Sequence, residues 1–508
     1  MKKSDNYNSY KRSNIMPEGL FAVLPSLVAI ILAWATKQII PALLLGLLVG
    51  SFLIDPGLIT GIAKMVEYIE ATFLDQGNLD VLLFLYVFSG FVGLLQMSGG
   101  IKGFARWIGK ITETKKGTLL ALWATELVTF LDCAYRVVAT GMIFRPLADK
   151  RGISRERLAF MLNNSASPVV ALVPIATTFV GFMVGIVATG LNVAGLDSSP
   201  YITFLKSIPF NFFSIISIIV VISSIIFNFN FRKMRELEGD ETAQKKKTTG
   251  HIKHRPAMDM EMGDMGGMAM DMDDNYSSDT KIMEGRIYNL FIPILLLLPL
   301  SLYMMWWTGR DEADSFSSAI INAESSRAMF LALVITTVIA AVIYLFQGFA
   351  LKELIDNFFN QANKIIHTIA ILAVAWPIAD VTKDLGLPEL ITTTLGENLS
   401  GVYVPVIIFV VTSLIAYFIG SSWGTFALLM PIAIPLAAIT GGSVIMAIGA
   451  VFAGGTFGDV TSPLSGMTVM SAGAAEAEHM EYVEAQMPYN VTAFALAALL
   501  FLIIPLLM

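Results

Sequence analysis

The chain has 508 residues, of which 55% are hydrophobic and 14% are charged, and its mean hydropathy is +0.70. Soluble domains carry about 25% charged residues, so the composition excludes a soluble globular protein and indicates a polytopic membrane protein. The formal net charge of −7 is spread over short loops and gives no basis for a nucleic-acid partner, and the single cysteine excludes an internal disulfide or a cysteine-based metal site.

Apolar stretches recur from residue 20 to the end of the chain. A helix needs about 20 apolar residues to cross the hydrocarbon core of a bilayer, and several of these stretches are shorter or are interrupted by Gly, Pro, Ser or Asn. We therefore predict an all-α protein with ~10–12 transmembrane helices, some of them re-entrant hairpins or broken helices. The stretches lie at 20–36, 38–54, 81–98, 117–131, 158–189, 208–229, 287–307, 328–347, 365–380, 403–419, 424–440, 443–458 and 490–508.

The distribution of Lys and Arg predicts the orientation, because cytoplasmic loops carry an excess of these residues. The N-terminal tail 1–19, the loop 145–157 and the segment 232–255 are basic. All three are predicted to face the cytoplasm, as parts of a multi-pass protein of the cytoplasmic membrane. The acid-rich segments 308–327 and 474–486 are predicted to be loops on the outside.

The segment 232–285 separates two membrane halves, 20–231 and 286–508. Its centre, residues 257–274, holds seven methionines and six acidic residues without a periodic apolar face, which favours a disordered cytoplasmic linker. Thioethers are soft ligands that suit Cu(I), so the alternative is a soft-metal site. Its candidate ligands are His251, His254, Met258, Met260 and Met262.

The two halves resemble each other in their least ordinary stretches, which occur in the same order and carry a Ser-Pro dipeptide at the same place. The loop between the aligned stretches is basic in the first half and uncharged in the second, so the two copies are expected to run in opposite directions. Inverted repeats are a hallmark of secondary transporters, whose site lies where broken helices meet. The aligned stretches are 130–148 with 418–437 and 158–176 with 450–468, within repeats at about 81–189 and 365–470.

Two polar stretches, NNSASPV at 163–169 and GTFGDVTSPLSGMT at 455–468, interrupt the predicted spans. Pro168, Pro463 and Gly458 are the predicted helix breakers. Non-helical backbone at membrane depth must be buried in protein or line a cavity, and hard cations such as Na⁺ take oxygen ligands. The predicted ligands of a cation or proton are Asp459, Thr461, Ser462, Ser465, Asn163, Asn164, Ser165 and Ser167.

Asp459 is the strongest candidate of this set, because a carboxylate inside a membrane is costly and marks a functional site by default. Burial favours the protonated form of a carboxylate, which lets a proton and a cation compete for one site. The alternative interpretation is a carboxylate at the membrane interface that caps a helix N-terminus.

A second set of polar residues is predicted to bind substrate or to gate access. Asp132 and Arg136 have i,i+4 spacing and form either a structural ion pair or an occupant-sensitive gate. The stretch GSSWGTF at 420–426 begins a helix whose N-terminus favours an anion, although small residues also serve close helix packing. The full set is Asp132, Arg136, Glu126, Ser421, Ser422, Thr425 and Thr468.

Four stretches together resemble the NhaC-type Na⁺/H⁺ antiporter family, within the ion transporter superfamily: SSWGTFALLMPIAIPLA, AGGTFGDVTSPLSGMTVMSAGA, HMEYVEAQMPY and RPLADKRGISRERLAFMLNNSASPVVALVPIAT. The resemblance implies a secondary transporter rather than an enzyme, with two inverted repeats of hairpins and broken helices and an elevator mechanism. It also implies Na⁺ as the transported or coupling ion, no cofactor, and the homodimer that is common among elevator carriers.

Two positions depart from the pattern of that family. The family often has Ser-Asp-Thr-Thr where this chain has Ser465-Gly466-Met467-Thr468, and it often has paired aspartates where Asp132 is followed here by Cys133. The expected function is Na⁺/H⁺ antiport across a lipid bilayer. The alternative is a Na⁺- or H⁺-coupled carrier of a small organic acid or amino acid, whose negative charge Arg136 would suit.

Overall fold

The computed structural model describes residues 20–36, 38–100, 107, 114–129, 133–174, 177–239, 286, 288–313, 315–316, 319, 323–387, 390 and 399–507. In these ranges the regular elements are helices and no strand occurs. The first half contains α1 (Leu20–Thr36), α2 (Ile39–Ile54), α3 (Leu58–Leu74), α4 (Gln76–Met97), α5 (Lys115–Thr129), α6 (Cys133–Lys150), α7 (Arg155–Val170), α8 (Thr178–Val193), α9 (Pro200–Ser207), α10 (Phe212–Ile226) and α11 (Arg232–Gly239).

The second half contains nine described helices. They are α12 (Tyr288–Gly309), α13 (Ser325–Phe346), α14 (Leu351–Ala362), α15 (Ile366–Asp384), α16 (Val404–Ile419), α17 (Ser422–Ile439), α18 (Val444–Thr461), α19 (Gly466–Ala475) and α20 (His479–Leu507).

The described helices fit a membrane in length and composition. Eight of the described spans are long and apolar enough to cross a bilayer, and the number rises to ten if each of two bent helix pairs counts as one span. The pairs are α2 with α3, bent by 118°, and the segment from α9 to α10, bent by 44°. The prediction of an all-α polytopic membrane protein is confirmed, and the upper count meets the lower end of the predicted ~10–12 spans.

Helix α18 is the central helix of the second half, and glycines let its neighbours approach it closely. A Cβ added at Gly458 would lie 2.3 Å from Ala416 Cβ of α16, and one at Gly455 would lie 2.1 Å from the Phe426 ring of α17. Contacts this close are open only to glycine, and small residues are the usual means by which membrane helices pack tightly. Gly458 was predicted to break the helix, but its backbone stays helical and its role is this contact with α16.

The predicted break after α18 is present. The helix ends at Thr461, the chain turns through residues 462–465, and α19 starts at Gly466 with the Ser465 hydroxyl accepting a hydrogen bond from Met467 N–H at 3.2 Å. Pro463 lies inside this turn, as predicted. In the first half, α7 continues past Pro168 and ends at Val170, so the helix end comes after the proline instead of at it.

The prediction that 474–486 is an outside loop, on the opposite side from the basic loop 145–157, is wrong. Residues 479–486 are the first turns of α20. Glu476, directly after α19, pairs with Arg145 at 2.6 Å and with Arg155 at 3.5 Å. The acidic segment therefore lies at the same end of the molecule as the basic loop, because the carboxylates there neutralise its arginines.

The described part of the segment 232–285 is helix α11, which packs against the membrane helices. Its Met234 is fully buried, and its Glu238 pairs with Lys115 of α5 at 2.9 Å. The predicted disordered linker therefore begins later than residue 232. The remainder of that segment, including the candidate metal ligands His251, His254, Met258, Met260 and Met262, lies outside the described residues.

Candidate functional site

Asp459 lies in the last turn of α18, and its side chain joins the two polar stretches that the sequence singled out. Its Oδ2 accepts a hydrogen bond from Ser167 Oγ of α7 at 2.6 Å, across 292 residues of sequence. Its Oδ1 accepts one from Ser465 Oγ, in the turn after α18, at 3.0 Å. Only 5% of Asp459 is exposed, so the carboxylate is inside the protein and is not the interfacial cap of the alternative interpretation.

The surroundings of Asp459 are polar but uncharged. Between the residues that the structure describes, no ion pair includes Asp459. Transfer of an isolated carboxylate out of water costs many kcal/mol, so a buried one is neutralised by a proton, a counter-charge or a bound cation. Two serine hydroxyls reduce this cost but supply no positive charge.

Asn163 of α7 ties the site to two further helices through its amide nitrogen. Nδ2 donates to Val460 O of α18 at 2.9 Å and to Tyr482 Oη of α20 at 2.7 Å, with weaker contacts of 3.4 Å to Thr468 Oγ1 and Gln486 Oε1. The Thr468 hydroxyl donates to Asp459 O at 3.3 Å. Thr468, placed by sequence among the gating residues, thus belongs to the same cluster as Asp459.

Several buried polar atoms around this cluster have no hydrogen-bond partner among the described residues. They are Asn163 Oδ1, Thr461 Oγ1, Ser471 Oγ and Gln486 Nε2. An unmade hydrogen bond at a buried atom costs about 1–3 kcal/mol. Such atoms in a native protein call for an explanation, and a ligand or an ion is one of the accepted ones.

Three of the predicted ligands form hydrogen bonds with groups other than Asp459. Ser165 Oγ donates back to Met161 O at 2.6 Å, and Ser462 Oγ accepts from Leu464 N–H at 3.1 Å. Asn164 Oδ1 accepts from Ser217 Oγ of α10 at 3.2 Å. These residues stabilise the helix α7 and the turn after α18, so the cluster around Asp459 is smaller than the sequence predicted.

The stretch 420–426 starts α17 beside the turn that follows α18. Gly420 has a φ of +75°, and a Cβ there would lie 2.8 Å from the backbone of Leu464. Ser421 is the N-cap and accepts from Gly424 N–H at 3.3 Å, while Thr425 Oγ1 donates to Ser421 O at 2.7 Å. Both hydroxyls therefore serve the helix itself.

Ser422 is the exception in that stretch. Its Oγ is buried and lacks a hydrogen-bond partner in the described part of the chain. It remains a candidate for substrate binding at the N-terminus of α17.

Arg136 of α6 is fully buried and donates from Nη1 to Leu162 O at 3.1 Å. Leu162 directly precedes Asn163, whose side chain belongs to the cluster around Asp459. The predicted partner of Arg136, Asp132, lies outside the described residues, and so does the side chain of Glu126.

Helix α20 also contributes to the site, which was not predicted from the sequence. Tyr482, Gln486 and Asn490 are buried, and Asn490 Nδ2 donates to Val460 O at 3.2 Å, next to Asp459. Residues four apart share one face of a helix. The spacing of these three polar residues, with Glu481 and Glu484 on other faces, was the signal available in the sequence.

The site contains oxygen ligands and no cluster of metal-binding side chains. Within the described ranges, no group of three or more His, Cys, Asp or Glu residues is placed to hold a metal ion. One carboxylate among hydroxyl, amide and carbonyl oxygens is a donor set that suits a hard cation.

The chain is similar to known proteins in sequence and in fold. A protein of Haemophilus influenzae described as uncharacterized is 26% identical over 508 residues, which cover 96% of this chain and 92% of that protein. The crystal structure of the YdaH transporter of Alcanivorax borkumensis is similar with a TM-score of 0.54 at 13% identity, covering 87% of this chain and 88% of that one.

A second solved structure is similar in fold. It is MtrF of Neisseria gonorrhoeae, described as illuminating a class of antimetabolite efflux pumps, with a TM-score of 0.60 at 15% identity over 96% of this chain and 95% of that one. Residues 176–505 match the model of the Na⁺/H⁺ antiporter family. The resemblance read from the sequence motifs is thereby confirmed: this chain is a transporter, not an enzyme, and it belongs to the Na⁺/H⁺ antiporter family.

Proposed function

We propose that the protein exchanges a monovalent cation, most simply Na⁺, for protons, and that Asp459 carries both in turn. The observation behind this is the buried Asp459 carboxylate, held by the hydroxyls of Ser167 and Ser465 and without a basic partner in the described part of the chain. A carboxylate in this position is stable when it is protonated or when it binds a cation, and the two states exclude each other.

The neighbouring oxygens support a dehydrated cation as one of the occupants. A serine hydroxyl donates to the empty carboxylate, and rotation about its C–O bond turns a lone pair toward a cation. Asn163 Oδ1 is buried without a donor in the described ranges, so it adds a neutral oxygen. Family membership supports the same ion.

Coupled transport of a small organic acid or amino acid is the second candidate, and the buried guanidinium of Arg136 favours it. This guanidinium donates to the backbone of Leu162, the residue before Asn163, and a buried positive charge suits a carboxylate substrate. The fold similarity to MtrF also shows that this architecture occurs in a protein linked to antimetabolite efflux.

An inverted-repeat architecture with an elevator mechanism is part of the proposal. Helices α6 and α17 both have 18 residues, and each precedes a helix, α7 or α18, with a Ser-Pro dipeptide near its C-terminal end. The contact between Ser167 and Asp459 brings those two helices together, as expected of a site between repeats. The basic tail and loops support a cytoplasmic N-terminus in the cytoplasmic membrane, and the resemblance to elevator carriers adds a homodimer to the proposal.

Purified protein in proteoliposomes tests the function directly. With a pH gradient imposed and no organic solute present, addition of Na⁺ should dissipate the gradient. Absence of that signal, together with accumulation of a radiolabelled amino or carboxylic acid on a Na⁺ gradient, would replace the antiporter by the second candidate.

A further inference from the structure

The side-chain amide of Asn163 has one orientation that the protein enforces. Its Nδ2 faces the oxygens Val460 O at 2.9 Å and Tyr482 Oη at 2.7 Å. Val460 O also accepts from Asn490 Nδ2 at 3.2 Å. A carbonyl is an acceptor only, so a flipped Asn163 amide would place its oxygen against Val460 O and lose that hydrogen bond.

Because the amide nitrogen makes these hydrogen bonds, the oxygen of the same amide takes no part in them. Asn163 Oδ1 is buried, and no donor reaches it from the described residues. The orientation is thus maintained although it leaves a buried acceptor unpaired, which is unfavourable in the absence of a ligand. A cation supplies what this oxygen lacks, since amide oxygens are ordinary ligands of hard cations.

We propose that Tyr482 is a positioning residue for the transported cation: Val460 O sets which end of the Asn163 amide it faces, and the Tyr482 hydroxyl holds that side chain in place so that Oδ1 stays directed at the ion. The inference rests on the proposed cation transport and gives a role to a residue outside the site predicted from the sequence. Tyr482 lies on α20, fully buried, and its hydroxyl contacts Asn163. It therefore acts on the ion through Asn163.

Removal of this hydroxyl has a specific consequence. In Tyr482→Phe, Asn163 keeps the bond to Val460 O but loses its shortest hydrogen bond, so its side chain spends part of its time away from the position in which Oδ1 faces the ion. One neutral hydrogen bond corresponds to about threefold to tenfold in an equilibrium constant. The KM for Na⁺ should rise by about that factor, with kcat changed less than about twofold.

Competition by protons distinguishes positioning from general damage. Protons bind the carboxylate of Asp459, which Tyr482 does not contact, so the inhibition constant for protons should stay the same in Tyr482→Phe. A merely structural defect would lower kcat and alter Na⁺ and proton binding together. Tyr344→Phe is the matched control, because Tyr344 is also fully buried and its hydroxyl donates to Asn289 O at 2.6 Å, between α13 and α12.

The test compares Na⁺-dependent proton exchange in proteoliposomes for wild type, Tyr482→Phe, Tyr344→Phe, Asn163→Ala and the double variant Tyr482→Phe/Asn163→Ala. Tyr482→Phe should raise the Na⁺ KM relative to wild type, but adding it to Asn163→Ala should not raise the KM further. The reason is that Tyr482 acts through Asn163. An equal KM in Tyr482→Phe and Tyr344→Phe would overturn the inference, and so would a further rise of KM in the double variant over Asn163→Ala.

Two further outcomes are separable. A wild-type protein without Na⁺-dependent exchange would refute the proposed function itself, before any variant is compared. Should Tyr482→Phe fail to fold, Thr468→Val removes a weaker acceptor of Asn163 Nδ2 and should raise the Na⁺ KM in the same direction by a smaller factor. An unchanged KM in that variant would then overturn the inference.

Discussion

Replacement of Asp459 by Asn removes the negative charge of the proposed site while its size and shape are retained. Ser167 Oγ and Ser465 Oγ, now 2.6 Å and 3.0 Å from the two carboxylate oxygens, still find partners, because an amide offers one acceptor and two donor hydrogens. The buried uncompensated charge disappears at the same time. Thermal unfolding of Asp459→Asn should therefore occur at the wild-type temperature or above it.

The expected effect on ion binding is far larger than the effect on folding. A monovalent cation about 4 Å from a carboxylate gains about 4 kcal/mol at an effective dielectric constant of about 20. That free energy corresponds to a factor of about 10³ in affinity. Na⁺-dependent proton exchange by Asp459→Asn should fall below detection in an assay that resolves about 1% of wild-type activity.

The assay is proton flux in proteoliposomes after addition of Na⁺, with Asp80→Asn as the matched control. Asp80 is also 5% exposed and accepts a hydrogen bond from Gln76 Nε2 at 3.3 Å, but it lies at the start of α4. This control loses a buried carboxylate of the same exposure outside the site, and it should keep exchange within about twofold of wild type. Exchange by Asp459→Asn at near wild-type rates would refute the coupling role, and a strong loss of thermal stability in it would mean that the charge is structural.

Three other changes have defined outcomes. Ser167→Ala removes the hydroxyl beside the Asp459 carboxylate, whose oxygen would bind the cation in the proposed site, and the loss of one neutral ligand should raise the Na⁺ KM in the same flux assay by about threefold to tenfold. Gly420→Ala should lower the unfolding temperature more than Gly441→Ala, because both glycines have a positive φ but only Gly420 meets a neighbour, the Leu464 backbone; equal shifts would contradict the contact. In a Cys133→Ser background, Lys150→Cys and Glu476→Cys should react with an impermeant maleimide from the same side of the membrane. Labelling from opposite sides would contradict the position that the ion pairs of Glu476 give this residue.

The sequence predicted that the stretches of Ser167 and Asp459 face one shared site, because few structures can give hydrogen-bond partners to polar stretches inside a membrane. A segment with a proline, hydroxyls and an amide or a carboxylate inside apolar runs must meet other polar groups. The chain offers two of these segments, and the structure pairs them. The identity of the exact ligands was less predictable, because Ser165 and Ser462 have local backbone partners that compete for their hydroxyls.

The contribution of α20 was missed for a physical reason. The glutamates of 474–486 suggested an exposed loop, but Glu476 neutralises Arg145 and Arg155 while the next residues continue as a helix with one buried polar face. Charge counts along a segment do not show which side chains pair across the fold. The helical spacing of Tyr482, Gln486 and Asn490 contained that information, but only once the segment was recognised as helical.

The neutral surroundings of Asp459 also bear on coupling in the proposed cycle. An antiporter must not let its empty, charged site return across the membrane, because such a step would dissipate the gradient. With no basic partner for Asp459 in the described part of the chain, the empty site would carry its charge into the bilayer interior, where insertion scales assign an Asp about 2.5–3.5 kcal/mol. This penalty slows the empty return by roughly 10²-fold relative to the occupied states. Asp459→Asn removes the penalty together with the binding, so any movement that the variant retains would be uncoupled from both ions.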